Sequence, residues 1–203
     1  MPLGKTGTLK AFTTGRLFPE GGKIVEFFAD GKQIGRTLSG GDGYAFIRHS
    51  PSARGVKMIR ISAGASSDEG TLLVTGKKDK VILIEIESIL FTRPFSFEPS
   101  KEGKEALKQL SKQFMIIYLS GIMDMKRSRL WLKEKEFPLF PVFPPGNADI
   151  TANLEEEGIP VYAIIASPDT LSRTQHAEKK FSFEGSEEDT VVKDWKELLK
   201  KLN

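Results

Sequence analysis

Residues 81–87, V-I-L-I-E-I-E, place two carboxylates at i and i+2 directly behind an apolar run. Glu85 and Glu87 are of a type that can act as nucleophile or as general acid and base. They can equally supply the oxygen ligands that Mg²⁺ or Ca²⁺ takes. Two other apolar runs end in small polar or acidic residues: 114–120, F-M-I-I-Y-L-S, in Ser120, and 161–169, V-Y-A-I-I-A-S-P-D, in Ser167 and Asp169. If these ends converge, Glu85, Glu87 and Asp169 form a three-carboxylate set suited to a hard cation, with Ser120 beside it. The plainer reading leaves the acids in a solvated crevice and makes Ser120 and Ser167 loop or cap residues.

Other chemistry has less to stand on. His49 and His176 are the two histidines, and both read as surface residues, His176 within a helix of polar residues. A serine nucleophile elbow would need G-x-S-x-G, which the chain lacks. Gly4-Lys5-Thr6 looks like the end of a phosphate-binding loop, but the earlier glycine of that loop is missing. Arg93, ahead of Pro94, could face an anion or simply be solvated. Trp131 and Trp195 suit core-facing helix positions without a ligand. The absence of cysteine excludes disulfides, thiolate metal sites and cysteine nucleophiles.

Strands must carry these candidates to one place. The run at 81–86, four apolar residues with three of them β-branched, reads as a buried strand. Downstream, a helix is expected over 101–112 with Ser100 as N-cap and Ala106, Leu107 and Leu110 on its inner face. Further strands are expected at 114–120, 140–143, 161–167 and 180–184. Asp124 can cap a helix to about Lys135 that buries Leu130 or Trp131, and Asp149 a short one ended by Gly158. Ser167, Pro168 and Asp169 fit the first positions of a helix to about Glu178. Val191, Val192, Trp195, Leu198, Leu199 and Leu202 recur at helical spacing as a terminal helix. This alternation predicts a three-layer, Rossmann-like α/β domain with a parallel sheet over 80–203.

Residues 1–79 read differently. Short β-rich runs at 8–13, 23–29, 33–38, 44–48, 56–62 and 71–75 alternate with glycine-rich turns, the pattern of an all-β sandwich. Asp30-Gly31 predicts a hairpin and Asp42-Gly43 a second turn.

Composition is that of an ordinary folded protein, 39% hydrophobic and 28% charged. No apolar run approaches the roughly 20 residues that span a bilayer, and the N-terminus lacks the apolar core of a secretory signal. A cytoplasmic protein with no transmembrane segment is therefore expected. The net charge of +3 conceals +5 over residues 1–79 and −2 over 80–203. Without aromatic and basic residues interleaved along the chain, this balance reads as a solvated face, and no nucleic-acid partner is expected.

The order of elements, with acids after the first strand and a serine after the second, resembles the haloacid dehalogenase (HAD) superfamily of phosphohydrolases. It is nearest to the lipin-like and phosphatidate-phosphatase-like members. Residues 81–90 resemble the first motif, a strand followed by D-x-D-x-T, with Glu85, Glu87 and Ile89 in the Asp, Asp and Thr places. Residues 116–121, I-I-Y-L-S-G, resemble the second, whose hydroxyl holds a phosphate oxygen. Residues 127–138 look like the helix that follows. The resemblance implies an aspartate nucleophile, an aspartate acid/base, a third-motif lysine and fourth-motif acids that hold Mg²⁺.

The departures fall on the chemistry. Glutamate for aspartate moves the carboxylate by roughly 1.5 Å, where about 1 Å can cost ~10²-fold in rate. Ile89 brings hydrocarbon in place of a hydroxyl. No lysine lies between Lys135 and Lys179, although the third motif belongs near 145–152, in a connection stiffened by Pro138, Pro141, Pro144 and Pro145. Asp169 is the only acid of the fourth motif. Residues 7–76, with G-K-I-V-E-F-F-A-D-G-K-Q-I-G-R-T-L-S-G-G-D-G-Y-A-F at their centre, resemble the small immunoglobulin-like or transthyretin-like modules of bacterial proteins. Such modules bind, space or dock.

The expectation is a catalytically degenerate HAD-like protein that binds, scaffolds or assembles through a protein partner or self-association, with no cofactor. The alternative is a Mg²⁺-dependent phosphohydrolase working with Glu85 and Glu87 in place of aspartates. A metal-stabilised scaffold on Glu85, Glu87 and Asp169 is a third possibility.

Overall fold

Asp30 and Gly31 both take positive φ, 48° and 80°, the backbone of a tight turn whose twist suits two antiparallel strands. They join β2 (Ile24–Ala29) to β3 (Lys32–Leu38). The other strands of this region are β1 (Gly7–Phe12), β4 (Tyr44–His49), β5 (Gly55–Ala63) and β6 (Ser66–Val74). They form a four-stranded sheet in the order β3-β2-β5-β6 and a two-stranded sheet β1-β4, all antiparallel. Val25 and Phe27 from one sheet and Ala45 from the other share a core, with Leu9, Ala11, Ile34, Ile47, Ile61 and Ala63 packed around them. β6 begins before the expected residue 71, because residues 66–70, S-S-D-E-G, pair with β5 through the register Ala63↔Ser66. Their polarity hides a strand that the ladder alone specifies.

A computed structural model describes residues 1–16, 18–91, 97–144, 149–185 and 190–202. The chain divides into two compact units, Met1–Lys77 and Lys78–Asn203, against an expected boundary after residue 79. The first is built of antiparallel sheets and the second of a parallel sheet with helices.

The second unit holds β7 (Val81–Glu85), α1 (Ile86–Ile89), α2 (Lys101–Leu110), β8 (Met115–Leu119), α3 (Met125–Glu134) and β9 (Val142–Phe143). It continues with α4 (Ile150–Glu156), β10 (Val161–Ile165), α5 (Pro168–Ser172), β11 (Ala177–Ser182), β12 (Thr190–Val191) and α6 (Trp195–Leu202). Its six strands are parallel, in the order β12-β11-β10-β7-β8-β9. The chain thus builds outward from β7 to β9, returns to the other side of β7 with β10, and builds outward again. Val81, Ile82, Leu83 and Ile84 are buried, as are Ile116, Ile117, Tyr118 and Leu119 on one side and Ala163, Ile164 and Ile165 on the other. A strand flanked by two others and covered on both faces needs this continuous apolar run.

Side-chain caps stand where the sequence puts them. Ser100 accepts from the Gly103 amide at 3.1 Å, Asp124 from Arg127 at 2.8 Å and Asp149 from Thr151 at 2.8 Å. Gly158, at φ 84°, follows α4. Of the two candidates on α3, Trp131 is buried and Leu130 is not, at 7% against 49% exposed. The Trp131 indole N–H donates to the Phe97 carbonyl at 2.8 Å.

Three expectations are corrected. β7 ends at Glu85, and a helical turn takes residues 86–89, so Glu87 sits on a turn rather than on an extended end. The helix after Ser167 stops at Ser172 instead of reaching Glu178, and β11 follows from Ala177. The amides that would continue it are taken from outside: Asp149 Oδ2 accepts from Gln175 N–H at 2.8 Å and Thr151 Oγ1 from His176 N–H at 3.0 Å. His176 therefore precedes a strand, its ring paired with Glu155 at 2.7 Å. At the end of the chain, Val191 belongs to β12 and only residues from Trp195 are helical. Val192 N–H bonds Ser182 O at 2.9 Å, and Asp194 accepts from Glu197 N–H at 2.7 Å, starting the helix later than its apolar spacing suggests.

Candidate functional site

In open parallel sheets, ligand crevices form outside the carboxyl ends of strands where the strand order reverses. Here that place lies between β7 and β10. Glu85 is the last residue of β7, and Ser167 lies two residues beyond the end of β10. Ser120 follows β8, on the other side of β7. The sheet thus delivers these sequence candidates to adjacent strand ends.

The acids are already engaged there. Glu85 Oε2 accepts from the backbone N–H of Ser167 at 2.7 Å and from the Ser88 hydroxyl, while Oε1 accepts from Thr170 Oγ1 at 2.6 Å. The carboxylate therefore ties α1 to the start of α5 across the switch point. Glu87 Oε1 accepts from Ser120 Oγ at 2.5 Å, from Ile122 N–H at 3.0 Å and from Met123 N–H at 3.3 Å. Ser128 on α3 lies 2.8 Å from Ser120 Oγ. If Ser128 donates to Ser120, Ser120 remains able to donate to Glu87, giving a hydroxyl relay that ends on the carboxylate. Ser120 and Ser128 are 4% and 0% exposed, so this relay belongs to the interior.

Asp169 is not drawn into this set. Its carboxylate pairs with the Arg173 guanidinium one helical turn on, and both side chains are exposed. Among the described residues, no three His, Asp or Glu side chains gather as a cation would require. Among the described residues, the donors to Glu85 and Glu87 are hydroxyls and backbone amides, and none is a lysine or arginine. Arg93, the candidate anion-facing residue, and residues 145–148, half of the 145–152 segment expected to hold the third motif, lie outside the described residues.

Sequence reasoning missed Ser88, Thr170, Ser128 and the amides of residues 122 and 123. Two of the three side chains had a signal. Ser88 stands three residues after Glu85, one helical turn away, and Thr170 occupies the third position of a helix capped by Ser167, where a side chain can turn back towards the strand end. The loop amides carry no side-chain signal at all.

No protein-family model and no curated protein matches the sequence. Solved structures similar to the chain include a carbohydrate acetylesterase from Xanthomonas citri, at 9% identity and a TM-score of 0.35, covering 90% of this chain and 48% of that one. A sialyltransferase from Photobacterium damsela matches at 9% identity and a TM-score of 0.25, covering 90% of this chain and 40% of that one. The chain thus spans less than half the length of these structures. Likenesses at such TM-scores carry no argument about activity. Among the described residues, no helix is long and apolar enough to cross a membrane.

Proposed function

We propose that the second unit is a catalytically degenerate, Rossmann-like relative of the HAD phosphohydrolases. In this reading it serves a cytoplasmic protein as a binding, structural or assembly module, behind a β unit of immunoglobulin-like or transthyretin-like kind. The observation that carries the reading is the use made of the two acids. A nucleophile must present a carboxylate oxygen to substrate, whereas both oxygens of Glu85 and one of Glu87 accept hydrogen bonds from the protein itself. The Mg²⁺ that the family resemblance implies does not fit the residues either. Asp169 turns to Arg173 instead of joining the glutamates.

The location of Glu85 at the switch point favours the rival, a Mg²⁺-dependent phosphohydrolase that uses Glu85 and Glu87. An assay of the full chain with an aryl phosphate, with and without millimolar Mg²⁺, separates the two. The degenerate reading expects no turnover above buffer and no Mg²⁺-dependent rise in melting temperature. Turnover that Glu85→Gln abolishes would overturn it.

A further inference from the structure

The β1 edge of the two-stranded sheet in the first unit lies open beside a hollow. Among the described residues, β1 pairs with β4 alone. Thr13 N–H donates to Gly43 O at 2.8 Å just beyond the paired stretch. By the alternation of an antiparallel ladder, the backbone groups of residues 7, 9 and 11 then face β4, and those of Thr8, Lys10 and Phe12 face away.

Such an edge is a template for another strand, and proteins normally guard it. The edges of the four-stranded sheet are guarded. β3 carries Lys32 and Arg36 and pairs through a register shift at Phe27 and Phe28. β6 carries Asp68 and Glu69, and next to its end Leu3 N–H bonds Thr75 O at 2.8 Å and Thr75 N–H bonds Met1 O at 3.0 Å. β1 has an unbroken register, no proline and a single charge, Lys10.

Next to its C-terminal half lies a hollow of about 570 Å³, with Ala11, Val25, Ile61 and Ala63 among its lining and Lys10 and Lys23 beside them. The hollow follows from the strand count, since two strands cannot cover the inner face of four. The lining acids have partners: Glu20 pairs with Lys23 at 2.8 Å, and Asp68 Oδ1 accepts from Glu69 N–H at 2.8 Å.

We propose that β1 receives an extended segment of a partner protein as an added strand. That segment alternates small apolar side chains, set over Val25, Ile61 and Ala63, with acidic ones beside Lys10. The outward-facing backbone groups select an extended chain, and the apolar lining selects its alternate side chains. Charge selects the rest. The outer face of the β1–β4 pair presents Thr8, Lys10 and Phe12 opposite Arg48, Phe46 and Tyr44, two cations and no acid. A second copy pairing β1 with β1 would bring two such cationic faces together, which disfavours it.

The inference concerns the first unit and does not depend on the reading of Glu85. Turnover in the phosphatase assay would leave it untouched. Its test is a titration of the full chain with a fluorescein-labelled peptide alternating Glu and Val, alongside a Lys/Val peptide and a Glu/Val peptide interrupted by proline. Hydrogen exchange is followed at the backbone amides. The Glu/Val peptide should bind about tenfold or more tightly than either control and should protect the Thr8, Lys10 and Phe12 amides. Lys10→Pro removes an edge donor that β4 does not use, and Ala63→Phe fills the hollow. Each should weaken binding about tenfold or more. Absence of binding by the Glu/Val peptide, or binding that neither variant weakens, would overturn the proposal. So would protection of the three amides produced by raising the protein concentration alone, which would assign the edge to a second copy.

Discussion

At the carboxyl end of β7 the polar groups face one another, and along β1 they face outward. Glu85 accepts from an amide and two hydroxyls, and Glu87 from a hydroxyl and two amides. Thr8, Lys10 and Phe12 instead turn their backbone groups away from β4, the strand that pairs with theirs. A region usually read as chemistry is closed on itself, and a region usually read as scaffold is left unsatisfied. Acid residues at a strand end therefore say little about activity until their acceptor capacity has been accounted for. Strand pairing deserves the same accounting.

The comparison breaks most easily at β1. Ala11→Pro removes an amide that faces β4 and should destabilise the protein by about 3 kcal/mol or more. Lys10→Pro, one residue earlier, should cost far less, because its amide faces away. Urea unfolding of the two variants checks this, and equal losses would mean that the edge is not open as described.

At β7 the expected effect is smaller. Glu85→Ala strips the Ser167 amide and the Ser88 and Thr170 hydroxyls of their acceptor, a loss of about 2–3 kcal/mol. A catalytic acid held at some cost to the fold behaves in the opposite way, and its removal often stabilises. A rise in the urea midpoint on replacing Glu85 would thus count against the closed site.

Asp149 offers the mildest test, as a third acid whose oxygens are consumed internally. Burial works to raise its carboxyl pKa. The Thr151 hydroxyl and the amides of Gln175, Thr151 and Ala152 outweigh burial and hold it below the ordinary value of 3.8. A carboxyl lowered on folding contributes stability that is complete above its unfolded value and is lost as pH falls through the folded one. Asp149→Ala should therefore cost about 1 kcal/mol at neutral pH. The gap from the parent chain should narrow as the pH is taken below 3.8.

Where side chains alone decide structure, the sequence was readable. The apolar run of β7, the Asp30-Gly31 turn and the caps at Ser100, Asp124 and Asp149 all follow from local chemistry, as does the change from antiparallel to parallel sheet. What escaped depends on partners distant in the chain. Residues 66–70 are a strand only because β5 lies beside them. The helix at Ser167 is cut short by acceptors on Asp149 and Thr151. Val191 is drawn from an apparent helix into pairing by Ser182. At the candidate site, Glu85, Glu87 and Ser120 were legible as types at strand ends. Their occupation by the amides of residues 122, 123 and 167 was not, because backbone amides leave no trace in a sequence, and Asp169 pairs with Arg173 instead of joining them.

The central position of β7 also bears on how the chain leaves the ribosome. Val81 pairs with Met115 on one side, but its partner on the other is Val161. During synthesis the V-I-L-I run gains its first neighbour early and then waits, one edge bare, while the whole stretch to β10 is made. Such a β-branched, uncharged segment is prone to intermolecular association while it waits. The strand that organises the finished sheet thus keeps one edge unpaired until β10 has been made.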